Sequence, residues 1–262
     1  MRIVIPQHMD TAREHVQLTG WTPVFEHGEP ADDDPRREEL NRGIIEETGD
    51  QIIQTRSRDI PRLVAWQYCH VGLVGSDCAD GRFEQKIEVL SRFPYGREWH
   101  APQPRVELVV REDSRIKSIE DIGPGAIVLA ETQHANLTKH FLEEKGFKVV
   151  RLKNDTGPEV HNRLREDNAV AIQLVAGSIP VLLDTELHLG IMVNERGKTV
   201  EQYRLRVLEN LYDVETLLIA NRDVMRDDEI NREKILQLKE GLENAYVRVQ
   251  REFESFGGRE RI

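Results

Sequence analysis

The sequence predicts an α/β protein of two lobes with a long C-terminal helix. Three observations support this prediction. Short β-branched runs alternate with amphipathic helical stretches, the segment 94–104 is rich in proline, and an apolar stripe of helical spacing follows Asn221. We therefore assign residues 1–104 to the first part of lobe 1 and residues 105–190 to lobe 2. Residues 191–262 then return to lobe 1 and form the C-terminal helix.

The predicted strands are β-branched runs, each short enough for a single crossing of a buried sheet. Because helical stretches separate many of them, we expect largely parallel strands joined by crossover helices. The predicted strands are Ile3–Ile5, Gln51–Gln54, Val71–Val74, Glu107–Arg111, Ala126–Leu129, Lys148–Arg151, Val170–Val175 and Glu215–Ala220.

Three helices are predicted from their start signals, stop signals or apolar spacing. Asp34 followed by Pro35 offers a cap and a first turn for a helix that continues through Ile44. A second helix has apolar side chains within 137–142 and ends where Gly146 supplies a left-handed cap. The C-terminal helix has an apolar stripe made of Ile235, Leu238, Leu242, Ala245, Val249 and Phe253.

Composition and charge exclude several functional classes. The 262 residues include 36 Lys and Arg against 47 Asp and Glu, and the net charge of -11 disfavours general attraction to nucleic acid or anionic lipid. No apolar run approaches the roughly 18 residues of a membrane span, and no signal peptide is predicted at Met1. Cys69 and Cys78 lack the spacing of a zinc site or a disulfide framework. We expect a cytoplasmic protein that binds neither membrane nor nucleic acid.

Four blocks of the sequence occur in an order typical of one enzyme family. The first is the opening strand Arg2–Pro6, and the second combines Arg56–Val64 with Val71–Asp77. The third is Asn136–Gly146, which begins Asn-Leu-Thr, and the fourth is the late strand Leu217–Asn221. In content and order these blocks resemble the ATP phosphoribosyltransferase family, which opens histidine biosynthesis.

The resemblance implies a fold like that of periplasmic binding proteins. It implies that ATP and phosphoribosyl pyrophosphate bind in a cleft between the lobes, with Mg²⁺ on the pyrophosphate. The implied reaction joins the anomeric carbon of the ribose to a ring nitrogen of adenine and releases pyrophosphate. Because the chain ends with a helix where long family members carry a regulatory domain, it resembles the short form. The implied partners are a separate regulatory subunit related to histidyl-tRNA synthetases, or further copies of this chain.

Five charged residues match the needs of this reaction. Breaking the bond to pyrophosphate leaves positive charge on the sugar and negative charge on the leaving group, so cations and carboxylates are both required. Arg56 and Arg58 are candidates for binding phosphate, because a guanidinium group can bind two oxygens at once. Asp59, with the catalytic candidates Asp77 and Glu159, is expected to orient ribose, base or magnesium-bound water. Surface ion pairs, and a helix cap at Asp59, are the structural alternatives.

The sequence departs from the family at the loop for the sugar pyrophosphate, whose usual pattern is Asp-(Leu/Val)-x-x-Thr-Gly-x-Thr-Leu. Gln173 replaces the acid and Ala176 replaces the first threonine. Pro180 removes one N–H donor from the turn. Gly177 and Ser178 are retained, and we expect them to bind substrate phosphate.

A second departure follows the opening strand, where the family typically has Lys-Gly-Arg-Leu. Gln7 and His8 stand at the start of this segment, so two fixed positive charges are missing. We expect Gln7 and His8 to bind substrate there. The ordinary pKa of about 6.5 makes the imidazole of His8 a partly charged substitute at most.

These departures concentrate at sites while the scaffold blocks persist, and this pattern leaves three hypotheses open. The chain is an ATP phosphoribosyltransferase with an unusual loop, a relative that acts on another nucleotide in specialised metabolism, or a binding or regulatory protein without turnover. His134, His140 and His161 lack the local spacing of zinc ligands, so no metal site made of protein ligands is predicted.

Overall fold

The chain passes from one α/β unit into a second and back again in the computed structural model. The first unit contains Met1–His100 and Glu215–Ile262, and the second contains Ala101–Val214. No helix among the described residues is long and apolar enough to cross a membrane. The structure describes residues 1–7, 9–26, 41–79, 81, 83–96, 99, 101–152, 158–183 and 188–255.

Strands form where β-branched residues fill buried positions of a sheet. All eight predicted strands are confirmed, with bounds that differ by one or two residues. The strands of the described residues are β1 (Arg2–Pro6), β2 (Pro23–Phe25), β3 (Asn41–Ile45), β4 (Gln51–Thr55), β5 (Val71–Gly75), β6 (Ile87–Phe93), β7 (Arg105–Arg111), β8 (Ile127–Ala130), β9 (Val149–Leu152), β10 (Val170–Leu174), β11 (His188–Asn194), β12 (Leu205–Asp213) and β13 (Thr216–Asn221).

Helices cover the sheets and connect many of the strands. The second predicted helix is confirmed, and Gly146 follows it with the left-handed φ of 86° that a Cβ atom would disfavour. The α-helices of the described residues are α1 (Asp10–Leu18), α2 (Ile60–Ala65), α3 (Ala135–Glu144), α4 (Pro158–Glu166), α5 (Ile179–Leu182), α6 (Lys198–Gln202), α7 (Arg222–Asp227) and α8 (Glu229–Ser255).

The described part of the first unit contains a seven-stranded sheet in the order β2-β3-β4-β1-β5-β13-β6. Strand β1 pairs in parallel with β4 and β5, whereas the remaining pairs are antiparallel. The late strand β13 lies between β5 and β6, so the end of the chain completes a sheet that the beginning of the chain starts.

Helices pack on both faces of this first sheet. Successive side chains of β1 point to opposite faces and therefore contact different helices. Ile3 and Ile5 belong to a buried cluster with residues of α1 and α8, among them Leu242. Val4 belongs to a second cluster on the other face, together with Ile60 of α2. Both cysteines lie in this second cluster and are buried, as small apolar side chains would be.

A buried histidine connects α1 with α8 in the first unit. The Nε2 atom of His15 donates to the Leu242 carbonyl at 2.7 Å, and Nδ1 accepts from the Tyr95 hydroxyl at 2.7 Å. The rings of Phe93 and Trp99 approach the imidazole edge to face, with centroids at 4.7 and 5.0 Å. Burial lowers the pKa of His15 to about 4, although its bond to Leu242 acts in the opposite direction.

The described part of the second unit contains a six-stranded sheet in the order β12-β7-β11-β8-β10-β9. The pairs β11–β8, β8–β10 and β10–β9 are parallel, and β7 pairs antiparallel with both β11 and β12. Val128 and Ile172 pack toward Leu142 of α3. On the opposite face, Leu129 packs with residues of α4 and α5.

Two predictions about the architecture are wrong. The second unit does not end at residue 190, because β11 and β12 pair with β7 and the chain returns only at Glu215. Edge strand β12 mixes polar and apolar residues and contains two register shifts, so it lacks the continuous apolar run used to predict strands. The sheets are also mixed rather than largely parallel.

The predicted helix through Ile44 is contradicted where the structure describes it. Residues Asn41–Ile45 form β3, whose side chains alternate between buried and exposed positions and which pairs with β2 and β4. The predicted cap at Asp34 and Pro35 lies outside the described residues. The C-terminal helix is confirmed as α8, but its last apolar residue, Phe253, is exposed.

Candidate active site

The carboxyl ends of three parallel strands place Gln7, Arg56 and the segment that carries Asp77 along one sheet edge. When the pairing of β1 with its two neighbours is continued to residue 7, Gln7 lies opposite Arg56 after β4 on one side. On the other side it lies opposite Gly75 of β5. The amide of Gln7 donates to the carbonyl of Thr55 at 2.9 Å, which continues the ladder by one residue. Because neighbouring strands are about 4.8 Å apart, the backbones at Arg56 and Gly75 lie about 10 Å apart. Asp77 follows two residues beyond Gly75.

A short 3₁₀ turn, Ser57–Asp59, carries the basic and acidic candidates after β4. Arg56 is half-buried and extended, and its carbonyl accepts from the amide of Asp59 at 2.9 Å. The side chain of Arg58 is exposed. Asp59 stands at the N-cap position of α2 but makes no capping hydrogen bond; its carboxylate accepts from Arg62 at 3.3 Å. The capping alternative is therefore wrong for Asp59, whereas the surface ion pair is present.

The turn after β5, which carries Asp77, is bound to the start of β13 through Ser76. The amide of Ser76 donates to the carbonyl of Glu215 at 2.7 Å, and its Oγ accepts from the amide of Glu215 at 2.9 Å. Asp77 is half-buried, with Oδ2 at 3.5 Å from the thiol of Cys78. These contacts fix the backbone from which the carboxylate projects.

The segment after β1 is described only in part. Gln7 is half-buried and lies at the sheet edge with Arg56 and Asp77. His8 lies outside the described residues, so its contact with substrate stays a prediction.

A second group of candidates lies at the carboxyl edge of the sheet in the second unit. Leu174 of β10 is opposite Ala130 of β8, and the amide of Val175 donates to the Ala130 carbonyl at 3.0 Å. The loop after β10 and the residues after β8 therefore share one edge.

Gly177 and Ser178, which are predicted to bind phosphate, lie in a tight turn as two successive residues of positive φ. Gly177 has φ 114° and Ser178 has φ 57°, a conformation that costs a residue with a Cβ atom about 1–2 kcal/mol. The Ser178 carbonyl accepts from the amide of Val181 at 3.0 Å, while its side chain is exposed and caps nothing. Strain of this kind is often kept at binding sites. Pro180 occupies the first turn of α5, where an N–H group would otherwise point toward the loop.

Glu159 lies in the first turn of α4, on the exposed side of that helix. Its neighbours Val160 and Leu164 are buried in the core of the second unit. The contacts of the described residues do not connect Glu159 with Gly177 or Ser178, and its catalytic role stays a prediction.

A carboxylate that was not among the predicted site residues lies beside the turn of Gly177 and Ser178. Glu131 directly follows β8, and its Oε1 atom is 3.6 Å from the position that a Cβ atom on Gly177 would take. The amide nitrogen of buried Gln133 donates to the other carboxylate oxygen. The signal for Glu131 in the sequence is an acid directly after a buried strand, whereas the family pattern has its acid at the position of Gln173.

Each unit offers a carboxylate that fits magnesium bound jointly with a substrate phosphate. Mg²⁺ binds oxygen ligands and commonly takes one or two carboxylates together with phosphate oxygens and water. Asp77 in the first unit and Glu159 in the second unit are carboxylates of this kind. The described ranges contain no group of three or more His, Cys, Asp or Glu side chains that could hold an ion by themselves.

Residues 56–244 match the sequence model of the HisG family, ATP phosphoribosyltransferase. Similar curated proteins include the ATP phosphoribosyltransferase of Methanococcus maripaludis strain S2, 28% identical over 195 residues, which are 74% of this chain and 58% of the relative. That of Methanocaldococcus jannaschii is 29% identical over 189 residues, 72% of this chain and 56% of the relative. The match thus spans less than two thirds of the length of these relatives.

Solved structures with the same fold include the ATP phosphoribosyl transferase (HisG:HisZ) complex of Thermotoga maritima, with TM-score 0.62 and 18% identity over 95% of this chain and 99% of that one. The periplasmic aliphatic sulphonate binding protein SsuA of Escherichia coli gives TM-score 0.53 and 15% identity over 96% of this chain and 75% of that one. These likenesses support the predicted fold. Because the family model matches well over half of the sequence, the chain belongs to the ATP phosphoribosyltransferase family.

Proposed function

We propose that this protein transfers a phosphoribosyl group from phosphoribosyl pyrophosphate to ATP, as the first step of histidine biosynthesis. The bond between the anomeric carbon and the pyrophosphate oxygen breaks, and the leaving pyrophosphate takes the electron pair. A new bond forms between that carbon and a ring nitrogen of the adenine. Membership of the family supports this reaction, and the single structural observation that carries it is the sheet edge that gathers Arg56, Gln7 and Asp77.

The arginines of this edge are proposed to bind the negatively charged groups of the substrates. Arg56 leaves the end of β4 and Arg58 is exposed on the turn that follows, so both guanidinium groups start from one fixed backbone segment. A guanidinium group donates two parallel hydrogen bonds to phosphate and remains charged at any physiological pH. Charge that develops on the leaving pyrophosphate would thus be stabilised without rearrangement of the protein. Gln7 and His8 would add polar contacts there.

The carboxylates are proposed to orient the ribose and its positive charge. Asp77 is held by the turn after β5, and Asp59 keeps a partly exposed carboxylate although it pairs with Arg62. Glu159 would act from the first turn of α4. A carboxylate near the anomeric carbon favours the charge that the sugar develops as the bond breaks. Positioning of this kind supplies a large part of the rate in such displacements.

Mg²⁺ is the proposed cofactor, and it would neutralise pyrophosphate charge as that group leaves. Asp77 is the carboxylate of the first unit that would bind the ion or a water molecule of its shell. Gly177 and Ser178 would bind a substrate phosphate with the turn between β10 and α5, whose φ values of 114° and 57° expose its backbone.

A separate regulatory subunit is the proposed partner, since the Thermotoga maritima structure of similar fold is a HisG:HisZ complex. We place the reaction in the cytoplasm, where thiols such as those of Cys69 and Cys78 remain reduced.

The test is pyrophosphate release from ATP and phosphoribosyl pyrophosphate with Mg²⁺, followed by mass identification of the adenine adduct. Asp77→Asn and Arg58→Ala are each expected to lower kcat/KM by about 100-fold, because each removes a charge that acts on the transition state. Asp213→Asn and Arg105→Ala are matched controls, since these side chains form an exposed ion pair in the second unit. Both controls should retain full activity.

Three other results would contradict parts of the proposal. Full turnover in both Asp77→Asn and Arg58→Ala would reject the site assignment while leaving the reaction in place. Release only with another nucleotide would replace the acceptor. Ligand-induced thermal stabilisation without release, also with the candidate partner subunit added, would reject catalysis and identify a binding protein.

A further inference from the structure

We propose that Glu131 supplies the carboxylate that position 173 lacks, and that it binds the hydroxyl groups of the ribose in the phosphoribosyl donor. This inference rests on the proposed function and names a substrate-binding residue within it. It is carried by the register of two strands, by the contacts of Glu131 and by the chemistry of its carboxylate.

The strand register puts Glu131 on the same sheet face as Gln173. Gln173 of β10 is opposite Leu129 of β8, and the next pair is Leu174 with Ala130. The hydrogen bond from the Val175 amide to the Ala130 carbonyl extends this ladder, so Glu131 is level with Val175. Side chains two residues apart along a strand share a face. The carboxylate of Glu131 thus follows the neighbouring strand and lies two residues further along the strand direction than position 173, where the acid is missing.

Local contacts direct this carboxylate toward the loop. Gln133 is 8% exposed, and its amide nitrogen donates to one carboxylate oxygen of Glu131. The other oxygen, Oε1, lies 3.6 Å from the Cβ position of Gly177. Because Gly177 has no side chain, the space beside that oxygen stays open to a ligand that enters the turn. The hydrogen-bond partner shown for the Glu131 carboxylate among the described residues is thus a neutral amide, that of Gln133.

The charge of Glu131 selects the part of the substrate that it can bind. A carboxylate only accepts hydrogen bonds and repels a phosphate group at short range. Ribose hydroxyls donate hydrogen bonds. The two adjacent hydroxyls of ribose can donate either to both oxygens of one carboxylate or to the two lone pairs of a single oxygen. The phosphate would then meet the backbone of Gly177 and Ser178, with the ribose toward Glu131.

The test compares two ligands that differ by one hydroxyl, ribose 5-phosphate and 2-deoxyribose 5-phosphate, by calorimetric titration. We expect the wild-type protein to bind ribose 5-phosphate at least about 10-fold more tightly, because its 2-hydroxyl has a partner. In Glu131→Gln this preference should fall to less than about 2-fold, since a neutral amide is a weaker acceptor. Glu112→Gln, an exposed acid of the same unit, is the matched control and should keep the preference.

Turnover with phosphoribosyl pyrophosphate is measured in parallel on the same proteins. A rise in KM for phosphoribosyl pyrophosphate in Glu131→Gln, with the KM for ATP unchanged, supports the assignment. An unchanged ribose preference and unchanged KM in an active enzyme would overturn the role of Glu131 and leave the proposed function intact. Absence of both turnover and sugar-phosphate binding in the wild-type protein would overturn the two together. Circular dichroism and the Tm of each variant separate loss of binding from loss of folding.

Discussion

His15 makes the stability of the first unit depend on pH in a predictable direction. The folded protein keeps the imidazole neutral, since burial among Phe93, Tyr95 and Trp99 lowers its pKa to about 4. In the unfolded chain the same group has a pKa of about 6.5. Below pH 6.5 the unfolded state therefore binds a proton that the folded state does not bind. Stability is fully present above pH 6.5 and is lost as the pH falls toward 4.

The size of the effect follows from the two pKa values. Between pH 7.5 and pH 5.5 the free energy of unfolding should fall by about 1.4 kcal/mol because of His15 alone. The full loss, reached below pH 4, is about 3 kcal/mol. His15→Gln removes this contribution. It should also lower stability at pH 7.5 by about 2 kcal/mol, because Tyr95 and Leu242 lose a well-placed partner.

Urea unfolding at matched ionic strength, followed by tryptophan fluorescence, measures this difference. All three tryptophans, Trp21, Trp66 and Trp99, belong to the first unit, so the signal reports on the unit that contains His15. The quantity to compare is the stability of wild type minus that of His15→Gln at pH 7.5, 6.5 and 5.5. Contributions from other groups, including His70, cancel in this difference. His140→Gln is the control, because its imidazole is exposed on α3 of the second unit, whereas the tryptophan signal reports on the first unit.

A difference between wild type and His15→Gln that stays constant from pH 7.5 to pH 5.5 would refute the reasoning. It would mean that His15 becomes protonated in the folded protein as easily as in the unfolded chain. A difference that grew toward low pH would reverse the sign and require a carboxylate beside the imidazole.

Three further substitutions test the packing of the units. Asn221→Ala should destabilise the first unit by about 3 kcal/mol in urea unfolding, since its buried amide caps α7 and binds two carbonyls at the end of α2. Gly43→Ala should cost at least about 2 kcal/mol by the same measurement, because a Cβ atom would lie 2.1 Å from the carbonyl oxygen of Val24; an unchanged midpoint would contradict the observed β2–β3 pairing. Arg206→Met should destabilise the second unit by about 2 kcal/mol, measured by circular dichroism, since the guanidinium of Arg206 donates to three backbone carbonyls. Its control is Arg105→Met, which loses only an exposed ion pair and should cost less than about 0.5 kcal/mol.

The central strands could be predicted because their burial leaves a local signal. Val71–Gly75 and Thr216–Asn221 are buried nearly throughout, so they read as continuous apolar runs. Strand β12 is at a sheet edge and mixes polar with apolar residues, so it has no continuous apolar run that would predict a strand. Because β12 was not predicted, the predicted position at which the chain returns to the first unit was too early.

The candidate site shows a similar division. The resemblance to the family singled out the arginines and Asp77, and the parallel order of β4, β1 and β5 brings the segments that carry them to one sheet edge. Glu131 was missed because its relation to Gly177 depends on the register between β8 and β10, which pairs residues more than 40 positions apart. The left-handed backbone of Ser178 likewise follows from the turn and not from its own preference.

The position of β13 between β5 and β6 has a consequence for synthesis of the chain. A ribosome completes the whole second unit, Ala101–Val214, before it adds the strand that joins the two parts of the first sheet. The contiguous unit can therefore fold first, while β5 and β6 still lack the neighbour that separates them. Until Thr216–Asn221 emerges, both strands present open edges, the surfaces on which a nascent chain aggregates or recruits a chaperone.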